Sequence, residues 1–357
     1  MTESDLFDIK PDAPDPDASK AAKTRFDDIA KPLDGFGRFE DIICKIAGIQ
    51  KSVTPDISRK VLVIMIADNG VIEEGVSQTG PEVTALVASL MGQGKSSVGT
   101  MTAGYPVTVF PVDVGIDSDD RIEGVIDRKV SKGTGNIAKM SAMTVHQALE
   151  AISVGIKTAK KCRDEGFGIV ATGEMGIGNT TTSTALYCAL TGRVAGEVAG
   201  RGAGLSDEGL LRKIGVIEDA LILHGLGGKT PDKRGVLAAL SKVGGLDIAA
   251  LSGLYIGCAM YHLPVVIDGA ISAVAALAAD MMVSGCRQYM IASHKGREKI
   301  TKEVHDILGL SAVMDADMAL GEGTGAVMLF PLLDMVMSVY EKGVVFSDTG
   351  IGQYERF

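Results

Sequence analysis

The 357-residue sequence has no tryptophan, only 4% aromatic residues and five cysteines, none of them in a C-x-x-C pair. An odd number of widely spaced cysteines argues against a disulfide framework, and it favours reduced thiols in a cytoplasmic protein. Lys and Arg total 35 against 45 Asp and Glu, which gives a net charge of -10. Since no basic run and no tryptophan are present, nucleic-acid binding is disfavoured.

Metal-ligand and nucleophile motifs are also missing. The five histidines show no H-x-x-x-H spacing, and no Ser/His or Cys/His pairing follows the logic of a catalytic triad. We therefore expect no metal, no cofactor and no nucleophilic catalysis by the protein. The longest apolar stretch, 248–267, contains His262 and Pro264. Because both residues disfavour a bilayer span, we expect a buried helix over about 248–262 and then a strand, not a membrane segment.

Apolar runs alternate with helical patterns along most of the chain. The runs predict buried strands near residues 61–67, 107–114, 169–172, 265–268 and 289–292. This alternation predicts an α/β fold: a mainly parallel, Rossmann-like sheet flanked by helices. By composition the chain divides into an acidic arm (1–16) that we expect to be disordered or loosely docked, helical subdomain elements (17–55), a large α/β domain (56–340) and a C-terminal tail (341–357).

The segment 168–190, GIVATGEMGIGNTTTSTALYCAL, predicts a strand, a glycine-rich loop and a helix. Such a turn directs backbone N–H groups and the positive end of a helix dipole at one point, which suits a phosphate. The loop lacks the Gly-Lys-Ser/Thr ending of a Walker motif and the G-x-G-x-x-G spacing of dinucleotide-binding folds. By itself the segment predicts an anion site, and a phosphate ester is the best candidate.

Two further loops carry charged residues next to glycines. In GRGAGLSDEGLLRK (200–213), Lys213 is either a solvated lysine on a capped helix or a cation that closes on a phosphate. In LGEGTG (320–325), Glu322 either stabilises a helix N-terminus or acts as a base, and the flanking glycines slightly favour the base. The segment 293–297, SHKGR, is a candidate second phosphate clamp.

Together these loops resemble the nicotinate-nucleotide:dimethylbenzimidazole phosphoribosyltransferase family of cobamide lower-ligand activation. The resemblance runs in order over nearly the whole chain, and its most specific pair of motifs is GEMGIGNTTT (173–182) with LGEGTGAVMLFPLLD (320–334). It also includes KPLDGFGRFE (31–40), ADNGVIEEGVS (67–77), VDVGI (112–116), KGTGNIAKMSAMT (132–144), GRGAGLSDEGLLRK (200–213), DIAALSGLYIG (247–257), PVVIDGAIS (264–272) and SH (293–294).

The resemblance implies transfer of the 5-phosphoribosyl group of nicotinate mononucleotide to an aromatic acceptor, with release of nicotinate and formation of an α-riboside phosphate. It implies that Glu322 is the general base and that Glu174 lies near the ribose. The residues expected to hold phosphate and ribose are Gly176, Ile177, Gly178, Asn179, Thr180, Gly202, Lys213 and Ser293. Those expected to line the acceptor pocket are Ser77, Leu86, Ala270 and Leu320.

The chain departs from the family pattern where the acceptor is expected. Asn69 replaces a histidine, Leu86 falls about where a glutamine is usual, and Ala270 replaces a phenylalanine. A more apolar pocket favours an acceptor other than dimethylbenzimidazole, such as phenol or p-cresol. The resemblance also implies a dimer of like or unlike subunits. The alternative to an active enzyme is a non-catalytic or partner-dependent subunit of a heterodimeric phosphoribosyltransferase, which the presence of Glu174, Lys213 and Glu322 disfavours.

Overall fold

The apolar runs form a parallel sheet that is buried on both faces in the computed structural model, which describes residues 1–356. In the first strand, odd-numbered residues from 61 to 65 pack into one hydrophobic core and even-numbered residues from 62 to 66 pack into another. Burial of both faces explains why the strand is a continuous apolar run rather than an alternating one. The predicted α/β fold with a mainly parallel sheet is confirmed.

The main sheet has the strand order β3-β2-β1-β4-β5-β6, and every pair in it is parallel. Its strands are β1 (Lys60–Ala67), β2 (Val107–Gly115), β3 (Ile126–Asp127), β4 (Ile169–Met175), β5 (Val265–Ile267) and β6 (Met290–Ala292). The order reverses between β1 and β4, so a crevice opens there beyond the carboxyl ends of the strands. Two strands that the sequence did not predict, β7 (His294–Gly296) and β8 (Met314–Met318), form a separate parallel pair.

Fourteen α-helices lie within the described residues. They are α1 (Glu3–Phe7), α2 (Pro16–Asp28), α3 (Arg38–Gln50), α4 (Glu82–Gly92), α5 (Ser97–Thr102), α6 (Val145–Asp164), α7 (Asn179–Thr191), α8 (Ala195–Val198), α9 (Asp207–Leu223), α10 (Lys233–Val243), α11 (Leu246–Met260), α12 (Ala270–Met282), α13 (Lys299–Leu308) and α14 (Thr324–Lys342). Short 3₁₀ segments occupy Gly70–Glu74, Cys286–Tyr289 and Phe346–Asp348.

Helices α6 and α11 approach each other backbone to backbone. A Cβ atom on Gly155 would overlap the carbonyl oxygen of Ala250, and one on Gly253 would overlap the carbonyl oxygen of Ile152. Only glycine permits this distance, and residues 246–259 of α11 are consequently buried on every side. The expected buried helix is therefore confirmed as α11, and it fixes the position of residues at the crevice.

The N-terminal arm is docked through a few contacts, so of the two expectations, a disordered or a loosely docked segment, the disordered one is wrong. Leu6 is fully buried in the larger core, the hydroxyl of Tyr289 donates to the carbonyl of Asp12 at 2.5 Å, and the N–H of Asp15 donates to the carbonyl of Gly48 at 2.9 Å. One buried leucine and a few backbone bonds anchor a segment whose composition is otherwise polar.

One helix, α14, is long and apolar enough to cross a membrane by length and composition. Its most apolar window is 56% buried within the protein, and the helix packs against α3 and β4. These contacts are those of a core helix, and α14 holds the loop that precedes it against the end of the sheet.

Candidate active site

A cavity of about 260 Å³ lies at the carboxyl ends of β4 and β5. Glu174, the loop 175–180, the loop 201–203, residues 268–272 and the loop 318–322 all contribute to its wall. Segments far apart in sequence thus meet at the carboxyl-end edge of the sheet. Most of the predicted site residues line this one cavity, namely Glu174, Gly176, Ile177, Gly178, Asn179, Thr180, Gly202, Glu322, Ser77, Ala270 and Leu320.

The glycine-rich loop turns from β4 directly into α7. Gly178 has a φ of 95°, a left-handed conformation that glycine adopts without strain. Gly176 packs so closely on the carbonyl of Ala67 at the end of β1 that a Cβ atom would overlap it. The loop is therefore fixed to the sheet, and the first turn of α7 faces the cavity with the positive end of its dipole. This geometry can hold a phosphate.

Lys213 lies behind this wall and does not line the cavity. Its side chain is fully buried, and Nζ donates to Thr180 Oγ1 and to the carbonyl of Gly200, each at 3.0 Å. Burial lowers its pKa to about 8. Lys213 thus contacts the end of the glycine-rich loop through the hydroxyl of Thr180, and the interpretation of a solvated lysine on a surface helix is wrong.

Ser293 is also buried behind the cavity wall. Its Oγ lies 2.6 Å from the carbonyl of Ile267, to which it donates, and 2.8 Å from Nδ1 of His294. Since the single hydroxyl proton is used on the carbonyl, Nδ1 of His294 is the donor in the second bond. Burial lowers the pKa of His294, which lines the cavity as a neutral imidazole.

Glu174 is one of several buried carboxyl groups at this edge of the sheet. Its side chain is only 8% exposed, and burial, followed by the nearby charge of Asp247, raises its pKa to about 8. Burial likewise raises the pKa of Asp247 to about 7 and that of Asp268 to about 6. Asp268 Oδ1 accepts from the N–H of Ala326 at 3.0 Å, which ties the end of β5 to α14.

Glu322 occupies a strained backbone conformation between two glycines. Gly321, Glu322 and Gly323 have φ values of 90°, 58° and 82°, so the only side chain in the left-handed run is the carboxyl. Glu322 Oε2 accepts from the N–H of Val98 at 3.1 Å. A non-glycine residue held in this region costs about 1–3 kcal/mol and is typical of functional sites. The arrangement presents a carboxylate to the cavity wall.

The loop carrying Glu322 rests directly on β4. A Cβ atom on Gly173 would lie 2.8 Å from the carbonyl carbon and oxygen of Glu322, and one on Gly321 would lie 2.8 Å from Glu174 Oε1. Glycines on both sides therefore allow the two glutamate-bearing segments to approach one another. The sequence motifs GEMGIG and LGEGTG form the two sides of one contact.

One residue of the predicted acceptor pocket lies away from the cavity, and its role in acceptor binding stays a prediction. Leu86 does not line the cavity, and its side chain is 60% exposed on α4. The helix presents the next residue, Val87, to the cavity instead. Asn69, where the family has a histidine, is buried behind the phosphate loop, and its Oδ1 accepts from Thr182 Oγ1 at 3.2 Å.

Several residues on the wall were not singled out as site residues from the sequence. They are Val87, Arg201, Glu298, Arg297, Ser272 and Thr301. Arg201 lies beside Gly202, and Arg297 ends the SHKGR segment. The only sequence signal for these two residues is therefore that each adjoins a predicted site residue or segment. Outside the cavity, the described residues include one cluster of three carboxylates close enough together to hold a metal ion, namely Asp27, Asp34 and Glu40. Their charges are paired with those of Lys23, Lys31 and Arg356.

The chain is similar to known phosphoribosyltransferases over nearly its whole length. A family model described as "Phosphoribosyltransferase" matches residues 12–351. A nicotinate-nucleotide–dimethylbenzimidazole phosphoribosyltransferase from Acetivibrio thermocellus is 44% identical over 331 residues, 93% of each chain. Another from Ruminiclostridium cellulolyticum is 42% identical over 334 residues, 94% of each chain.

A solved structure shows the same architecture. The crystal structure of CobT from Thermus thermophilus superposes with a TM-score of 0.86 at 33% identity, and the alignment covers 95% of this chain and 100% of that one. The chain is therefore an enzyme that belongs to the nicotinate-nucleotide–dimethylbenzimidazole phosphoribosyltransferase family.

Proposed function

We propose that this enzyme transfers the 5-phosphoribosyl group of nicotinate mononucleotide to an aromatic acceptor, releasing nicotinate and forming the α-riboside phosphate of a cobamide lower ligand. The observation that carries the proposal is that the N-terminus of α7, Glu174 and Glu322 line one cavity of about 260 Å³. The names of the relatives in Acetivibrio thermocellus and Ruminiclostridium cellulolyticum support the same substrates.

The proposed chemistry needs no metal or cofactor. The bond between ribose C1′ and the pyridinium nitrogen breaks, and its electron pair goes to nicotinate, which leaves without needing a proton. The acceptor forms the new bond to C1′ and loses its acidic hydrogen to Glu322, the general base. The loop 176–180 holds the phosphate, with Lys213 acting through Thr180. Gly202 lines the same site, and Ser293 acts on it through His294. Glu174, when ionised, stabilises positive charge that develops on the ribose.

The acceptor is either a benzimidazole or a phenol. Ala270 and Val87 line the cavity, Leu320 lies on its wall with its side chain largely exposed, and Ser77 adds a hydroxyl. A small side chain at 270 leaves room where the family has a phenyl ring, which supports an acceptor different in shape from dimethylbenzimidazole. The five cysteines are all free and buried, which supports a reducing cytoplasmic location for the enzyme.

The test is an acceptor panel with the purified full-length chain and nicotinate mononucleotide. Free nicotinate and the riboside phosphate are measured by mass spectrometry with dimethylbenzimidazole, benzimidazole, adenine, phenol and p-cresol. We expect nicotinate release that depends on an added acceptor. A single best phenolic acceptor supports the pocket argument, whereas dimethylbenzimidazole as the clear best acceptor rejects it. No release by the chain alone, followed by release when a second subunit is added, supports a heterodimer.

A further inference from the structure

One amide group joins two buried carboxyl groups beside the cavity. Nδ2 of Asn179 donates to Oε2 of Glu174 and, at 3.0 Å, to Oδ2 of Asp247. Asp247 is fully buried in the first turn of α11, where its Oδ1 accepts from the N–H of Ile248 at 3.0 Å. Asp247 is absent from the cavity wall, so it acts on substrate only through its neighbours.

The charged groups with the largest effect on this pair are acidic. Asp268 after β5 and Glu298 before α13 both act on Glu174, and Asp68 after β1 acts on Asp247. Within residues 1–356, no lysine or arginine forms an ion pair with Glu174 or Asp247. Two buried carboxyl groups that share one amide donor do not both ionise readily, so between their two ionisations they share one proton.

The bridge also closes the phosphate loop. Glu174 belongs to β4 and Asn179 is the first residue of α7, so their hydrogen bond spans the residues between them. Asp247 anchors the same amide from α11, whose position is fixed by the glycine contacts with α6. The direction of the Glu174 carboxyl therefore depends on a residue 73 positions away in sequence.

We propose that Asp247 is a positioning residue for Glu174: it orients the Glu174 carboxyl through the amide of Asn179, and its own charge keeps one proton on the pair. This inference rests on the proposed function, in which Glu174 faces the ribose. Ionised Glu174 is the form that stabilises positive charge at C1′, so the shared proton must pass to solvent before the bond to nicotinate breaks. The rate then depends on the ionisation of the pair.

The first test is the pH profile of kcat/KM for nicotinate release in the wild type, Asp247→Asn and Asp280→Asn. In the wild type we expect the rate to rise with pH through the ionisation of Glu174. Asp247→Asn removes the neighbouring charge and keeps an acceptor for Asn179. Its acid limb should move at least one pH unit lower, which raises the ratio of the rate at pH 6.5 to that at pH 9 about tenfold. Asp280→Asn, a buried carboxyl paired with Arg287 away from the cavity wall, should leave the limb in place.

A second variant gives the opposite displacement. Asn179→Ala removes the hydrogen bonds that favour the ionised carboxylates, so its acid limb should move to higher pH. Opposite shifts from two neighbouring substitutions are not produced by a general loss of structure. If both variants are slower by the same factor at every pH, Asp247 is only structural and the proposal is rejected.

Thermal unfolding provides a readout that needs no activity. Both carboxyls have raised pKa values in the folded protein and ordinary values near 4 in the unfolded chain. Their stabilising contribution is complete below about pH 4 and is lost as pH rises through about 7–8. Asp247→Asn should therefore lose less melting temperature between pH 5 and 8 than the wild type or Asp280→Asn. Equal losses of melting temperature in the three proteins would overturn the proposal, whether or not the enzyme is active. A lack of nicotinate release with every acceptor and partner would, by itself, reject only the proposed function.

Discussion

The two sides of the cavity are built differently. The inner side, with Glu174 and Asn179, is formed by buried strands and helices whose glycines allow direct backbone contact. The outer side, with Leu320 and Glu322, is a loop in which three successive residues have left-handed backbone angles and Leu320 is largely exposed. The two glutamates therefore lie in different environments: burial raises the pKa of Glu174 to about 8, whereas Glu322 lies on a loop at the cavity wall. This division matches different tasks for the two carboxyls.

The largest effect is expected when the carboxylate on the outer side of the cavity, Glu322, is removed. Glu322→Gln keeps the shape of the side chain but cannot accept the acceptor's proton, so we expect kcat to fall by about 10²–10⁴-fold. Steady-state nicotinate release measures the change. Glu303→Gln, which alters a carboxyl paired with Arg193 outside the cavity wall, is the control and should stay near the wild-type rate. A Glu322→Gln enzyme within tenfold of wild type would exclude Glu322 as the base.

The contact between the two sides can be altered without touching either carboxyl. In Gly173→Ala the new methyl group would lie 2.8 Å from the backbone of Glu322, so the outer loop must move. A displacement of about 1 Å costs about 10²-fold in rate, and we expect a loss of that order in kcat. Gly215→Ala on α9, where a Cβ atom meets nothing within 4 Å, is the matched control. Wild-type kinetics in Gly173→Ala would mean that the contact between β4 and the loop carrying Glu322 does not affect the reaction.

Support behind the inner side should affect substrate binding more than chemistry. Lys213→Met leaves Thr180 Oγ1 and the Gly200 carbonyl without their cationic partner. A hydrogen bond to a charged group contributes about 1.5–3 kcal/mol, so we expect KM for nicotinate mononucleotide to rise at least about tenfold. Saturation kinetics separate KM from kcat. An unchanged KM would show that the loop holds the phosphate without Lys213.

The smallest expected effect concerns two adjacent residues of α4. Val87→Ala enlarges the cavity and should raise KM for the acceptor about fivefold, which corresponds to about 1 kcal/mol, the lower end of the usual range for a methylene group in a pocket. Leu86→Ala removes an exposed side chain and should change it by less than twofold. Saturation kinetics with benzimidazole and with p-cresol measure KM for the acceptor in both variants. A larger effect of Leu86→Ala would show that α4 turns or meets a partner when the acceptor binds.

Much of the fold could be predicted because the strands of a doubly covered sheet are continuous apolar runs. β1 and β4 were found from VLVIMIA and GIVAT for this reason. The pair β7–β8 was missed because the segment MDADM is polar and its strands owe their pairing to tertiary contacts. For residues 1–16 the sequence does not decide between disorder and loose docking, because a single leucine, Leu6, gives no periodic signal.

The site residues that could be predicted are likewise those with a local sequence signal. Glycine-rich loops carry a local signal, so Glu174, Gly178 and Glu322 could be singled out from sequence. Asp247 could not, because it lies in an apolar helix and its importance depends on Asn179 approaching it across the fold. Leu86 was placed by matching a family position, and sequence alone does not show that Val87 lies on the side of α4 that faces the cavity.

The backbone contact between α6 and α11 has a consequence for hydrogen exchange. Residues 246–259 have no face in water, and no side chain separates the two helices where Gly155 and Gly253 meet their neighbours. Amide protons in α11 should then exchange only when the whole protein unfolds, whereas those of residues 320–323 exchange by local opening. The slowest amides of α11 would report the global free energy of unfolding directly. The exchange rates of the amides of residues 320–323 would give the smaller free energy needed to open the outer side of the cavity.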